Sequence, residues 1–126
     1  MVEYEPGICN IDENGQHKRY MLGASGLISG LLLASVNFLT FVSDLTFVGV
    51  AVLLFIGFEG TIQGYKSFCV AHASKGTYRV NESGEKEVKD EENRKKDINT
   101  SKKIHMQALI LTLVTTMLIY AAQLHF

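Results

Sequence analysis

The stretch that decides the fold is LTFVGVAVLLFIGFEGTIQGY, Leu45 to Tyr65, which carries a single charge, Glu59. A helix rises about 1.5 Å per residue, so a segment of this length spans the roughly 30 Å hydrocarbon core of a bilayer. Lipid offers the backbone no hydrogen-bond partners, so such a segment satisfies its own N–H and C=O groups as a helix. No polar face recurs every 3.6 residues along it, which disfavours the alternative of a soluble three-helix bundle.

Working outward, two more segments of the same kind appear: YMLGASGLISGLLLASVNFLTFVS, Tyr20 to Ser43, and IHMQALILTLVTTMLIYAAQLHF, Ile104 to Phe126. Between Tyr20 and Tyr65 the only charges are Asp44 and Glu59, and no Asp, Glu, Lys or Arg follows Ile104. The 12 Lys and Arg fall into two blocks, Lys18 with Arg19 and the rest between Lys66 and Lys103. Soluble domains spread their charges along each amphipathic element; segregation is the pattern of a membrane protein. The predicted fold class is therefore all-α and integral to the membrane, with three transmembrane helices arranged as a hairpin plus a third helix. The predicted organisation is an N-terminal tail over 1–19, spans over 20–43 and 45–65, a charged loop over 66–103, and a third span over 104–126.

Orientation follows from Lys and Arg. They flank the start of the first span and fill the loop between the second and third, and they are missing from the join near Ser43 and from the C-terminus. The positive-inside rule puts the tail and the loop in the cytoplasm and the C-terminus outside, in a multi-pass protein of the plasma (cell) membrane. The polar, acidic first residues lack the order of a secretory signal, so the first span is expected to be retained. No lipidation motif is evident. A net charge of −1 gives no reason to expect nucleic acid as a partner.

Within the loop, SFCVAHASKGTYR is predicted to continue the second helix for about two turns and to break at Gly76. The following VNESGEKEVKDEENRKKDINTSKK has acids early and bases late. It reads as a solvated helix opening near Ser83 and running on into the third span, with disorder over Asn81 to Lys86 as the alternative. Asp44 is placed as a helix start before Leu45.

Glycines repeat in one spacing on both members of the hairpin: Gly23, Gly26 and Gly30 on the first span, Gly57, Gly60 and Gly64 on the second. Small residues let helix backbones approach closely in lipid. A turn near Ser43 and Asp44 sets Gly23 level with Gly64 and Gly30 level with Gly57. These glycines are expected to make the hairpin contact, with a homodimer face as the alternative.

Three sets of residues could carry chemistry. Glu59 lies about 10 Å inside the cytoplasmic edge set by Lys66, where an acid costs about 2–3 kcal/mol. No Lys or Arg in any span can neutralise it, and its expected neighbours are Ser25, Ser29, Gln107 and Thr112. It reads either as a proton or cation site or as an acid that hydrogen-bonds across helices. Cys69 and His72 share one helical face at the membrane edge. With Cys9 and His105 they make a set of four ligand types that suits zinc or iron; the opposing reading is two ordinary thiols and two interfacial histidines, with no cofactor. A Cys9–Cys69 disulfide is disfavoured in a reducing cytoplasm. Asn37, Gln123 and His125 are expected to cap helix ends, and Thr112, Thr115 and Thr116 to bond back to their own helix. No nucleophile–base pair, phosphate loop or nucleophile elbow appears, so no enzyme activity and no small-molecule substrate are inferred.

PGICNI at Pro6 to Ile11, the basic pair, the small-residue hairpin and SFCVAHASKGTYR at Ser67 to Arg79 together resemble a group of small uncharacterised prokaryotic membrane proteins. That group carries an N-terminal Cys-Asn-Ile-Gly motif and a Cys-Val motif just after its second span. Asp12 stands here where the group has glycine. The resemblance implies that Cys9 and Cys69 belong to one site near the cytoplasmic surface, and it implies no reaction. The expected function is a non-catalytic accessory, scaffold or interaction role, with the bilayer and a protein partner or second copy as partners. The alternatives are an oligomeric proton or ion conductor using Glu59, and a metal or thiol redox site using Cys9 and Cys69.

Overall fold

The computed structural model describes residues 3–40, 44–80 and 84–125; the expected turn residue Ser43, the expected helix start Ser83 and the last residue of the third span, Phe126, lie outside the described residues. The elements in chain order are α1 (Glu13–Thr40), α2 (Thr46–Lys66), α3 (Val70–Lys75), β1 (Thr77–Tyr78), β2 (Lys86–Glu87) and α4 (Glu91–His125). Three of these helices, α1, α2 and α4, are long and apolar enough to cross a membrane. The chain is mostly helical, and α2 is the most buried of the three long helices, with α1 and α4 packed against it.

The element boundaries differ from the sequence reading in ways that local chemistry explains. α1 starts seven residues before Tyr20, because Asp12 caps it: Oδ1 accepts the Gly15 amide at 2.9 Å. α2 does not run on to Gly76. It stops at Lys66, and Ser67 takes a left-handed conformation at φ 52°. The Ser67 amide then donates to the Gly64 carbonyl and the Phe68 amide to the Gln63 carbonyl, the paired closure that ends a helix abruptly. The buried Phe68 packs beside Ile62, supplying the apolar contact that accompanies this closure. The short α3 follows and stops at Gly76, whose φ of 73° favours glycine.

The loop helix begins at Glu91 rather than near Ser83. Asp90 caps it through Oδ1 to the Glu92 amide, while Lys86 and Glu87 pair antiparallel with Tyr78 and Thr77. From Glu91, α4 runs without interruption for 35 residues to His125, so the solvated helix and the third span are one rod. At the far end Asn37 is buried and donates from Nδ2 to Gln123 Oε1 at 3.0 Å. These two residues cross-link α1 to α4 rather than cap helix ends.

The α1–α2 contact is made at the glycines. A Cβ on Gly26 would lie 2.5 Å from the Gly57 nitrogen, and one on Gly60 would lie 2.7 Å from the Gly23 nitrogen. The register differs from the expected one: Gly23 meets Gly60, and Gly26 meets Gly57. The reason is the shared three-residue step from Gly23 to Gly26 and from Gly57 to Gly60. In the observed register both pairs meet backbone to backbone, whereas the expected one sets Gly26 opposite Thr61 and Gly60 opposite Leu27. Gly64 packs under the Tyr20 ring and Gly30 against Leu54. Beyond the glycines, Ala34, Val50 and Leu54 form an apolar cluster with Leu27, Leu33, Phe58 and Ile119 around it. A second cluster of Phe68, Ala73 and Ile104 lies where α3 meets α4.

Candidate functional site

The polar parts of the chain fold together at one end of the three long helices. The N-terminal tail is the strap that ties them. Asn10, fully buried, bonds both ways to Cys69: its Nδ2 donates to the Cys69 carbonyl at 3.0 Å, and its Oδ1 accepts the Cys69 amide at 2.6 Å. The backbone of the tail continues the tie. The Asn10 amide donates to the Ser67 carbonyl, the Arg79 amide to the Asn10 carbonyl, and the Asp12 amide to the Arg79 carbonyl. The break at Ser67 leaves backbone groups that no helix satisfies, and the tail supplies their partners.

A second knot lies on α4. Asp97 is fully buried and accepts from the Tyr4 hydroxyl at 2.6 Å and from the Gly7 amide at 2.7 Å. Thr100 returns a bond to the Gly7 carbonyl at 2.6 Å. Tyr4 also stacks on Tyr78, with ring centroids 4.2 Å apart. Burial, together with the hydrogen bond to the Asp97 carboxylate, pushes the Tyr4 hydroxyl well above the usual phenol range. The tail, the α2–α3 break and the start of α4 thus form one closed cap.

The four proposed metal ligands do not converge. His72 uses Nδ1 for Thr77 and Glu85, at 2.9 and 3.1 Å. His105 pairs with Glu59 on another face, at 2.8 Å. The Cys69 sulfur, buried, accepts from Arg19 Nη2 at 2.9 Å, and Cys9 Sγ donates to the Ile11 carbonyl. Among the described residues no group of three or more His, Cys, Asp or Glu side chains is placed to hold a metal, and both cysteines are free. Burial pushes the Cys9 thiol up. The motifs of the tail and of the α2–α3 break do meet, but through Asn10 and the Cys69 backbone rather than through two thiols. The spacing of these segments could not have disclosed that; the signal was the asparagine itself, a side chain with one donor and one acceptor end suited to a backbone pair.

Glu59 has a partner that the charge pattern missed. Its Oε1 lies 2.8 Å from His105 Nδ1 and also accepts from Gln63 Nε2 at 3.3 Å, while its Oε2 is buried with no hydrogen-bond partner. The expected neighbours were Ser25, Ser29, Gln107 and Thr112. Of these, Thr112 bonds back to the Ala108 carbonyl. The expectation assumed that α2 and α4 enter the bilayer at Lys66 and Ile104 on one level. Instead Glu59 stands level with His105, two residues past Lys103. Measured along α4, the pair lies about 3 Å from the last cation rather than about 10 Å. A histidine counts as uncharged in a tally of Lys and Arg, so the charge pattern does not disclose this partner.

No protein-family model, no curated protein and no solved structure matches this chain.

Proposed function

We propose that the chain is a small multi-pass protein of the cell membrane with a non-catalytic accessory or scaffold role. Its N-terminal tail and the 66–103 loop lie in the cytoplasm and its C-terminus lies outside. The role is to hold the folded cap at the cytoplasmic surface for a protein partner or a second copy. What supports this reading above all is the strapped cap. Ordering a polar tail costs about 1–2 kcal/mol per residue in backbone entropy, and spanning the bilayer does not require it. Here that cost is offset by buried bonds from Asn10 and Asp97. The asymmetry of Lys and Arg supports the orientation.

The test joins topology to assembly. A reporter fused to the C-terminus is expected to read external; a cytoplasmic reading defeats the orientation. Cross-linking in native membranes is expected to capture a stoichiometric neighbour with the native chain and to lose it with Asn10→Ala, which loosens the cap but leaves the spans. A chain that captures nothing, or captures equally with Asn10→Ala, is not a cap-displaying scaffold.

A second reading, oligomeric proton or ion conduction, is favoured by one observation: the unpartnered Oε2 of Glu59, whose Oε1 lies on His105. Liposomes carrying the native chain would then show a pH-driven flux that Glu59→Gln abolishes without disturbing assembly. Equal flux in the two, or none, rejects it.

A further inference from the structure

Between the tail and the start of α1 the cap forms an open pocket of about 300 Å³. This volume is at the lower end of the range for small-molecule sites. Two segments contribute cations to its wall, Lys18 and Arg19 from α1 and Arg79 from beyond β1, and α3 adds the imidazole of His72. Among the described residues none of Lys18, Arg19 and Arg79 makes an ion pair with a carboxylate. One acid, Asp12, is in the wall, and its Oδ1 is engaged in capping Gly15.

The cations are held in place by the bonds that close the cap. Arg79 is fixed through its backbone, its amide on Asn10 and its carbonyl on Asp12. Arg19 is fixed through Nη2 on the Cys69 sulfur. His72 is turned by its Nδ1 contacts to Thr77 and Glu85. The first turn of the 28-residue α1, with Asn14 in the wall, adds backbone amides that have no acceptor inside the helix. Cations arriving from different directions match a group with several anionic oxygens rather than a single planar carboxylate, and guanidinium groups bind such oxygens in pairs.

We propose that this cavity binds a phosphate group. The ligand class is a phosphate ester or free phosphate. The cavity's place at the Tyr20 end of the first span admits an anionic lipid headgroup as the source, and its polar wall admits a soluble phosphate. The tail strap then also assembles the binding wall, because releasing Asn10 releases Arg79. The inference does not depend on the orientation or scaffold role proposed above, since it is tested in micelles, where topology plays no part.

The experiment uses the purified full chain in neutral detergent, with thermal unfolding followed by circular dichroism at constant ionic strength. The probes are inorganic phosphate replacing chloride, and phosphatidylglycerol replacing phosphatidylcholine in mixed micelles. At least one probe is expected to raise the melting temperature saturably. Arg79→Gln and Lys18→Gln, both exposed side chains, are each expected to weaken that binding by about tenfold while melting cooperatively without ligand. A shift with phosphate assigns a soluble ligand, and one with phosphatidylglycerol alone assigns a lipid. Lys89→Gln, which lies outside the cavity, is expected to bind as the native chain does. The proposal is overturned if neither probe shifts the native chain, if Arg79→Gln and Lys18→Gln bind normally, or if Lys89→Gln weakens binding as much as they do.

Discussion

Along the α1–α2 seam the touching atoms are backbone atoms, at Gly23 and Gly60 and at Gly26 and Gly57. Along the α2–α4 seam the contacts are made by side chains, polar where Glu59 meets His105 with Gln63 beside it and apolar where Phe47 meets Tyr120. The first seam is a matter of shape. Nothing at these two pairs can rotate away, so they tolerate no added atom, and they need no polar group. The second is a matter of chemistry. Its members can be replaced by groups of like size, but each replacement changes a charge or strands a partner. Helices gain little from the hydrophobic effect by meeting in lipid, so close packing and polar pairing are the two means available, and α2 uses one on each face.

The contrast can be broken most directly at the glycines. Gly26→Leu is expected to cost about 3 kcal/mol or more, because its side chain meets the Gly57 backbone and neither helix can yield. The measurement is denaturant unfolding of the detergent-solubilised chain. If the protein stays folded and loses only a dimer, the seam is intermolecular and the comparison fails. Asn10→Ala comes next, at about 2 kcal/mol, since it strands the buried Cys69 amide and leaves the Cys69 carbonyl with the Ala73 amide alone. Protease sensitivity of the tail should rise with it while the spans stay intact. Glu59→Gln is expected to cost about 1 kcal/mol. The full cost of a broken buried ion pair does not apply, because His105 is half exposed. A double-mutant cycle with His105→Gln sharpens the point: a coupling near zero would mean that the polar seam is held by something other than this pair.

A smaller effect is expected from pH. Burial lowers the His72 pKa from its ordinary 6.5, against a smaller opposing pull from Glu85. The folded cap therefore favours neutral imidazole. Its contribution is fully present above the unfolded value and is lost as pH falls through the lowered folded value. Glu85 is lowered chiefly by the Thr77 hydroxyl, so its contribution fades at still lower pH, below the ordinary 4.5. Melting temperature should fall on acidification below 6.5, and His72→Gln should flatten the upper part of that fall. The smallest effect belongs to Gly49→Ala. The nearest atom to an added Cβ there is the Leu33 Cδ2 at 3.3 Å, the movable end of a side chain. Stability should change by less than about 0.5 kcal/mol. A large loss at Gly49 would show that the glycine seam extends well beyond its two backbone contacts.

What could be read in the sequence is what local pattern carries. Apolar length gave the three long helices, and the spacing of Gly23, Gly26, Gly57 and Gly60 pointed to the close seam. The turn alone sets the register one helical step away from the one observed, in which the matching three-residue steps of the glycines meet. The break at Ser67 was hidden because serine does not announce a left-handed residue as Gly76 does. Asn10 and Cys69 are 59 positions apart, and Tyr4 and Asp97 are 93 apart, so no window of sequence contains either tie. Glu59 and His105 were each visible as unusual residues, but their meeting depends on the axial offset of two helices, which composition does not encode.

The distance between Tyr4 and Asp97 also orders events in time. The tail leaves the ribosome before α4, and the carboxylate that Tyr4 fastens to is made 93 residues later. At about 5–20 residues per second the wait is on the order of ten seconds. During it Phe68 lacks Ile104, its partner on α4, and Asn10 can hold the α2–α3 break but not the rest of the cap. A chain cut short before α4 would leave Tyr4 and Gly7 without Asp97 and Phe68 without Ile104. Fastening of Tyr4 and Gly7 to Asp97 thus has to wait until synthesis has reached α4.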